Sequence, residues 1–234
     1  MALILQGIKD AFLLIISFDA VMMKIVLLSL TLSIISTIAA SIVAIPLGTA
    51  IARSEFRGRR AIITLFNTLM AIPTVVIGLL LYGILSRNGP LGALDLLYTP
   101  TAVAIGQFLL AAPLITAMVI AALEDADERI ELTALTLGAT RFQAILCILR
   151  EKRAALIAAI SLGFGRVITE VGCALIVGGN IKEKTRIMTT AVTLETSKGE
   201  FSIALALGII LVIIALGVNI LLYKLQKKWV SSTE

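Results

Sequence analysis

The sequence contains no histidine, one tryptophan, three tyrosines and two cysteines in 234 residues. Without histidine, a His-dependent catalyst or an imidazole metal site is excluded. Cys147 falls in a polar stretch and Cys173 in an apolar run, so there is neither a disulfide framework nor a Cys/His metal spacing. The chain also lacks a nucleophile elbow and a Walker-type phosphate loop, so it is not read as an enzyme, and any nucleotide must be bound by another chain. Charge is scarce as well. Charged residues make up 15% against 59% apolar, and the mean hydropathy is +1.06, a balance that a domain with a polar surface hardly shows. The expected fold class is an all-α integral membrane protein. The formal charge of +5 does not point to nucleic acid, because the lysines and arginines sit mostly beside apolar runs, where membrane orientation accounts for them.

Residues 1–24 mix Lys9, Asp10 and Asp19 with apolar runs too short to span, and predict a helix lying along the membrane surface. About five transmembrane helices follow within residues 25–228, and residues 229–234 form a tail. Residues 25–52 carry no charge and give the first span, which Pro46 and Gly48 are expected to bend or shorten. The cluster Arg53, Arg57, Arg59 and Arg60 places its end in the cytoplasm. The second span, residues 61–86, then runs outward to a turn at Asn88-Gly89-Pro90. The third lies within 96–123, the fourth covers 154 to about 179, and the fifth covers 201–223, ending near Lys224, Lys227 and Lys228. This order puts residues 124–153 and the C-terminus in the cytoplasm and the N-terminus outside. Seven cations are left on the outer side: Lys9, Lys24, Arg87, Lys182, Lys184, Arg186 and Lys198.

Residues 124–153 are the one long polar interruption. Glu124, Asp125, Asp127 and Glu128 crowd a leading turn, where carboxylates complement a helix N-terminus. Phe142, Ile145, Leu146 and Leu149 recur at helical spacing, and Gly138 between the two segments permits a bend or a positive φ. The expectation is a helix–Gly–helix plug that fits a partner's groove.

Arg166 and Glu170 are the charges well inside a span, each costing about 2.5–3.5 kcal/mol at a helix centre. Four residues apart, they would share a helical face and offset one another. Two roles stay open: an internal ion pair that fixes helix register, or a direct part in a substrate path. Beside them Ser161, Gly165, Thr169 and Gly172 form a small-residue stripe suited to close helix packing, and Gly178 and Gly179 follow.

Thr133-Ala134, Gly138 after three residues and Ile148 after nine more resemble the EAA loop of ABC-importer permeases, the segment that docks on the ATPase subunit. Here Glu131 stands one place before the family's acidic position, and Arg150-Glu151 replace the usual Leu-Pro. Longer phrases, AIPTVVIGLLLYGILSRNGPLG, LLYTPTAVAIGQFLLAAPLI, GRVITEVGCALIVGGNI and TRIMTTAVTLETSKGEF, resemble the tungstate-type oxyanion permeases of ABC importers, close relatives of molybdate permeases. The resemblance runs from about residue 62 to 208. It implies a type I ABC-importer permease fold in a cytoplasmic (inner) membrane. The implied coupling residues are Glu131, Thr133, Ala134, Gly138, Ala139, Phe142, Ile145 and Ile148. It further implies a homodimer with the path between the two copies, two ATPase subunits that hold ATP and magnesium, an extracytoplasmic oxyanion-binding protein, surrounding lipid and no nucleic acid. One five-helix chain is also small for a gated pathway, which independently favours a second copy. Two rivals remain at this stage: a secondary transporter or channel using Arg166 and Glu170 as a relay, and a membrane scaffold that recruits a soluble protein through the polar loop.

Overall fold

The computed structural model describes residues 20–230 continuously and residues 8, 9, 12, 13, 16 and 17 besides, with side chains described as far as Lys224. The surface helix expected over residues 1–24 falls largely outside the described residues, and so do residues 231–234 of the tail. Residues 20–24 already belong to the first long helix. Ten α-helices and no strands are found among the described residues.

Helix α1 (Ala20–Arg53) continues through Pro46, so the proline does not shorten the span. Its 34 residues extend about 51 Å at 1.5 Å each, more than the ~30 Å hydrocarbon thickness. Its main packing partner is α4 (Pro100–Glu124), begun by the N-cap Thr99 and a proline in its first turn. The two helices touch through small residues: Ala40 and Ala44 of α1 are wholly buried with Ala111, Ile115 and Val119 of α4. Between helices in lipid there is little hydrophobic gain, so close backbone approach and dispersion supply the adhesion. Polar atoms add to it. The Ser36 hydroxyl lies 3.0 Å from the Ala104 carbonyl and 3.2 Å from Gln107 Oε1, and donates within this buried seam.

The expected second span is two helices, α2 (Arg59–Ala71) and α3 (Thr74–Leu85), meeting at 96°. Pro73 is the cause. A proline disfavours the helical conformation in the residue before it, and Ile72 is extended at φ −63°, ψ 131°. Helix α2 buries none of its residues in this chain, whereas α3 buries Gly78, Leu81 and Leu85. The expected turn at residues 88–90 is present, with Gly89 N–H donating to the Ser86 carbonyl at 2.7 Å.

Helices α5 (Glu128–Thr136) and α6 (Arg141–Glu151) occupy the polar interruption. The expected fourth span is again divided: α7 (Arg153–Ile168) and α8 (Gly172–Gly178) meet at 57°. Three helices, α1, α4 and α10 (Phe201–Val230), are long and apolar enough to cross a membrane, and five spans result if each bent pair counts as one. The segment after α8 is helical as well. It forms α9 (Met188–Lys198), whose first turn, Met188 to Ala191, is buried in the bundle.

Candidate functional site

Two polar places stand out in this apolar bundle. The first is the loop around Gly138. Glu124 is the last residue of α4, so it does not open a loop helix as expected. A carboxylate at a helix C-terminus is electrostatically unfavourable, and Arg59 offsets it at 2.6 Å. Helix α5 starts instead at the N-cap Asp127, whose side chain accepts from Arg129 N–H at 2.9 Å, with Glu128 and Glu131 in the first turn. Gly138 has φ +86°, and Thr140 then opens α6 through a capping box with Gln143. A Cβ on Gly138 would meet nothing within 4 Å, so the glycine serves backbone conformation and not tight packing.

This plug is fastened to the bundle. Glu131 pairs with Arg53 at the end of α1, Lys152 donates to the Asp125 carbonyl at 2.7 Å, and Arg59 also donates to the Ile51 and Ala52 carbonyls. Ala144 and Ile148 are buried, and Ile148 joins the same apolar cluster as Ala40 and Ile115. The inward face of α6 is therefore centred on these two residues. Ile145 and Leu149 are half-buried, and Phe142, expected on that face, points out with 70% of its surface exposed. Leu132, Leu135 and Leu137 are exposed with it, Leu137 to 83%, while Thr133 is exposed and Ala134 and Ala139 are half-buried. Sequence reading missed Leu132, Leu135 and Leu137. The available signal was apolar residues flanking a glycine inside a polar stretch.

The second place is the break between α7 and α8. Helix α7 stops at Ile168, so Arg166 and Glu170 do not continue on one helical face, and no ion pair joins them. Glu170 is 3% exposed, and its Oε1 accepts from Cys173 N–H at 2.8 Å, capping the start of α8. Its own carbonyl accepts from the Thr189 hydroxyl at 2.6 Å, which brings α9 against the break. Met188 N–H, next to it, donates to Ser29 Oγ of α1 at 2.7 Å. A buried carboxylate is thus satisfied by backbone and not by an arginine.

Arg166 lies on the opposite side, exposed together with Leu162 and Thr169. It stands about 20 Å along the axis from Arg153 at 1.5 Å per residue, deep in the apolar zone. Of the packing glycines, Gly172, Gly178 and Gly179 are close against Val75, Val103 and Tyr98, each leaving under 3.0 Å for a Cβ. A Cβ on Gly165 would meet nothing within 4 Å, and this glycine belongs to the Arg166 face, while a Cβ on Gly163, not foreseen, would come within 2.6 Å of Ile115. No group of three metal-ligating side chains is found among the described residues.

The family model for the inner membrane component of binding-protein-dependent transport systems matches residues 44–231. The chain is 40% identical over 228 residues to the tungstate uptake system permease protein TupB of Peptoclostridium acidaminophilum, covering 97% of this chain and 100% of that one. It is 40% identical over 173 residues to the TupB of Campylobacter jejuni, covering 74% and 72% of the two chains. Its fold matches a chain in the crystal structure of a bacterial alginate ABC transporter in complex with an alginate pentasaccharide-bound periplasmic protein. There the TM-score is 0.77 at 19% identity, over 97% of this chain and 88% of that one.

Proposed function

The chain belongs to the family of binding-protein-dependent transport system inner membrane components, and on that premise we propose that its cargo is tungstate. It is the multi-pass permease subunit of an ABC importer for an oxyanion. The observation that carries the finer reading is the 40% identity to a tungstate uptake permease across the whole of that protein. Molybdate has the same charge and tetrahedral shape and is the second cargo to test.

The geometry supports a division of labour. The exposed leucines and Phe142 around Gly138 offer an apolar tip to an ATPase subunit, which holds ATP and magnesium. The Arg53–Glu131 pair ties α5 to α1, Lys152–Asp125 ties the end of α6 to the end of α4, and Arg59–Glu124 braces α2 against α4, so force on the tip reaches the bundle as a rigid-body movement. Two copies of the chain, two ATPases and an extracytoplasmic anion-binding protein complete the assembly. The Arg53 to Arg60 cluster supports a cytoplasmic tip and, one span before it, an external N-terminus.

Arg166 takes the substrate-path role left open by the sequence. An unpaired charge exposed at this depth is too costly against lipid, so its face turns to a watery path between two copies. There it meets a dianion in transit, and a single cation per copy keeps the contact weak enough for release.

The test is uptake by proteoliposomes holding this chain with its ATPase and binding protein. ATP-dependent tungstate accumulation that molybdate and sulfate compete for weakly is expected, and equal uptake of all three removes the assignment to tungstate. Arg166→Ala should assemble and hydrolyse ATP while uptake falls by about tenfold or more, the loss of one charged contact. Unchanged uptake ends the path role.

A further inference from the structure

Cations on the outer side of a membrane protein run against the charge bias that orients it, so their placement calls for a use. Seven were assigned to that side, and the fold gathers five of them, Lys24, Lys182, Lys184, Arg186 and Lys198, around two adjoining cavities of about 420 Å³ each. These lie at the end of the bundle opposite the Gly138 loop, between the start of α1 and the turn that follows α8. Lys24 pairs with Glu183 at 3.8 Å and Lys198 with Glu195 at 3.0 Å. Lys182 and Lys184 have no ion-pair partner among the described residues. Arg186 is held in place by Asn180, donating to Oδ1 at 3.3 Å and to the carbonyl at 3.4 Å. The turn itself is internally bonded: Thr185 Oγ1 donates to the Gly178 carbonyl and accepts from Ile181 N–H, and both Asn180 and Glu183 adopt left-handed backbone.

The walls of the first cavity change character with depth. Val21, Leu27 and Leu28 line it beside Lys24. Leu28 lies about 6 Å and Thr31 about 10 Å further into the bundle along α1 than Lys24. Leu27 is 66% exposed, an apolar surface just below the cationic rim. A small inorganic dianion has no use for such a wall. A molecule with a phosphate above an acyl chain matches both halves.

We propose that this groove binds an anionic phospholipid of the outer leaflet, its phosphodiester between Lys182, Lys184 and Arg186 and its acyl chain along Leu27 and Leu28 of α1. The charge fits: in the first cavity four cations face one carboxylate, so the rim remains cationic after Glu183 is paired. Each cation near a membrane surface adds to the attraction for anionic lipid. Bound there, the lipid clamps the start of α1 to the turn preceding α9, whose first residue bonds Ser29 of the same helix. This inference stands apart from the identity of the cargo.

The experiment uses the whole permease–ATPase complex in nanodiscs of phosphatidylcholine with graded phosphatidylglycerol, reading lipid retained on extraction by native mass spectrometry. Retention of about one phosphatidylglycerol per permease copy is expected, and Lys182→Gln/Lys184→Gln should shift its half-saturation about tenfold or more upward. The charge-keeping Lys182→Arg/Lys184→Arg should bind as the parent does, which separates loss of the site from loss of the fold. Arg87→Gln, an outer cation away from the groove, should change nothing. Equal retention of phosphatidylcholine, or unaltered retention by the Gln pair, overturns the proposal. Displacement of the lipid by millimolar inorganic phosphate marks a simple anion site and overturns it too. So does a Gln pair whose lipid retention is normal while affinity for the binding protein falls, since the groove is then a protein contact.

Discussion

The Gly138 loop and the break at Glu170 are both polar interruptions of an apolar chain, yet they satisfy their polar groups in opposite ways. At the loop, charges pair with charges across different helices: Arg53 with Glu131, Arg59 with Glu124, Lys152 with Asp125. Water is close, so each pair contributes little alone, and position is the main gain. At the break, the one buried carboxylate is met by a backbone N–H, and a threonine hydroxyl from α9 closes over its carbonyl. There is no second charge to desolvate. A charge near the polar loop is kept for where it holds an element, whereas one in the interior is kept for a backbone group that a broken helix has left open.

The largest test of this contrast removes the loop's exposed tip. Leu137→Asp with Phe142→Asp should leave the permease folded and weaken its association with the ATPase about 30-fold or more, a loss of ~2 kcal/mol typical of interface anchors. Binding unchanged in a pull-down titration would strip the tip of its docking role. Next, Glu170→Leu orphans Cys173 N–H and should destabilise the chain by about 1–3 kcal/mol in thermal unfolding, while Glu170→Gln, which keeps an acceptor, recovers most of it. Adding Arg166→Ala should not rescue Glu170→Leu. A rescue would restore the ion pair between the two residues and dissolve the contrast.

Gly138→Val should cost about 1–2 kcal/mol locally, because φ +86° burdens any residue with a Cβ, and Gly138→Asn less. Faster hydrogen exchange at residues 137–140, with α1 unaffected, is the expected signature. Since the space around the glycine is open, equal damage from Ala and Val would fit this account, whereas damage growing with side-chain size would show that packing matters after all. The smallest effect belongs to Arg53→Gln, about 0.2–1 kcal/mol as for a surface ion pair, seen as loosened protection of α5. A loss several times larger would mean that the loop is held by this one contact and not by a network with buried Ala144 and Ile148.

Much of the bundle was legible from one-dimensional pattern. Uncharged runs gave α1, α4 and α10, and glycine inside a polar stretch gave the two loop helices, because both signals are local. The breaks were not legible in the same way. Hydropathy averages over a window and carries no direction, so a 96° corner at Pro73 and a helix that continues through Pro46 read alike. What separates them is the neighbour: α4 packs against α1 through small side chains on both sides of Pro46, whereas α2 buries nothing in this chain to oppose the turn. The second break has no proline at all. It rests on Thr189, 19 residues away, and on a carboxylate turned to Cys173 N–H.

From one-dimensional pattern alone came the membrane character of the chain, its long polar interruption at residues 124–153, and the family phrases from residue 62 to 208. Composition and spacing suffice for these, since each depends on a residue's own chemistry or on near neighbours. Folding in three dimensions alone set Arg166 and Glu170 apart, made Glu131 an anchor and left Leu137 exposed, and brought five scattered cations to two adjoining cavities. Those outcomes depend on which helices touch, and contact between distant segments is set by packing and by the need to satisfy every buried polar group, neither of which is written in any single stretch of chain.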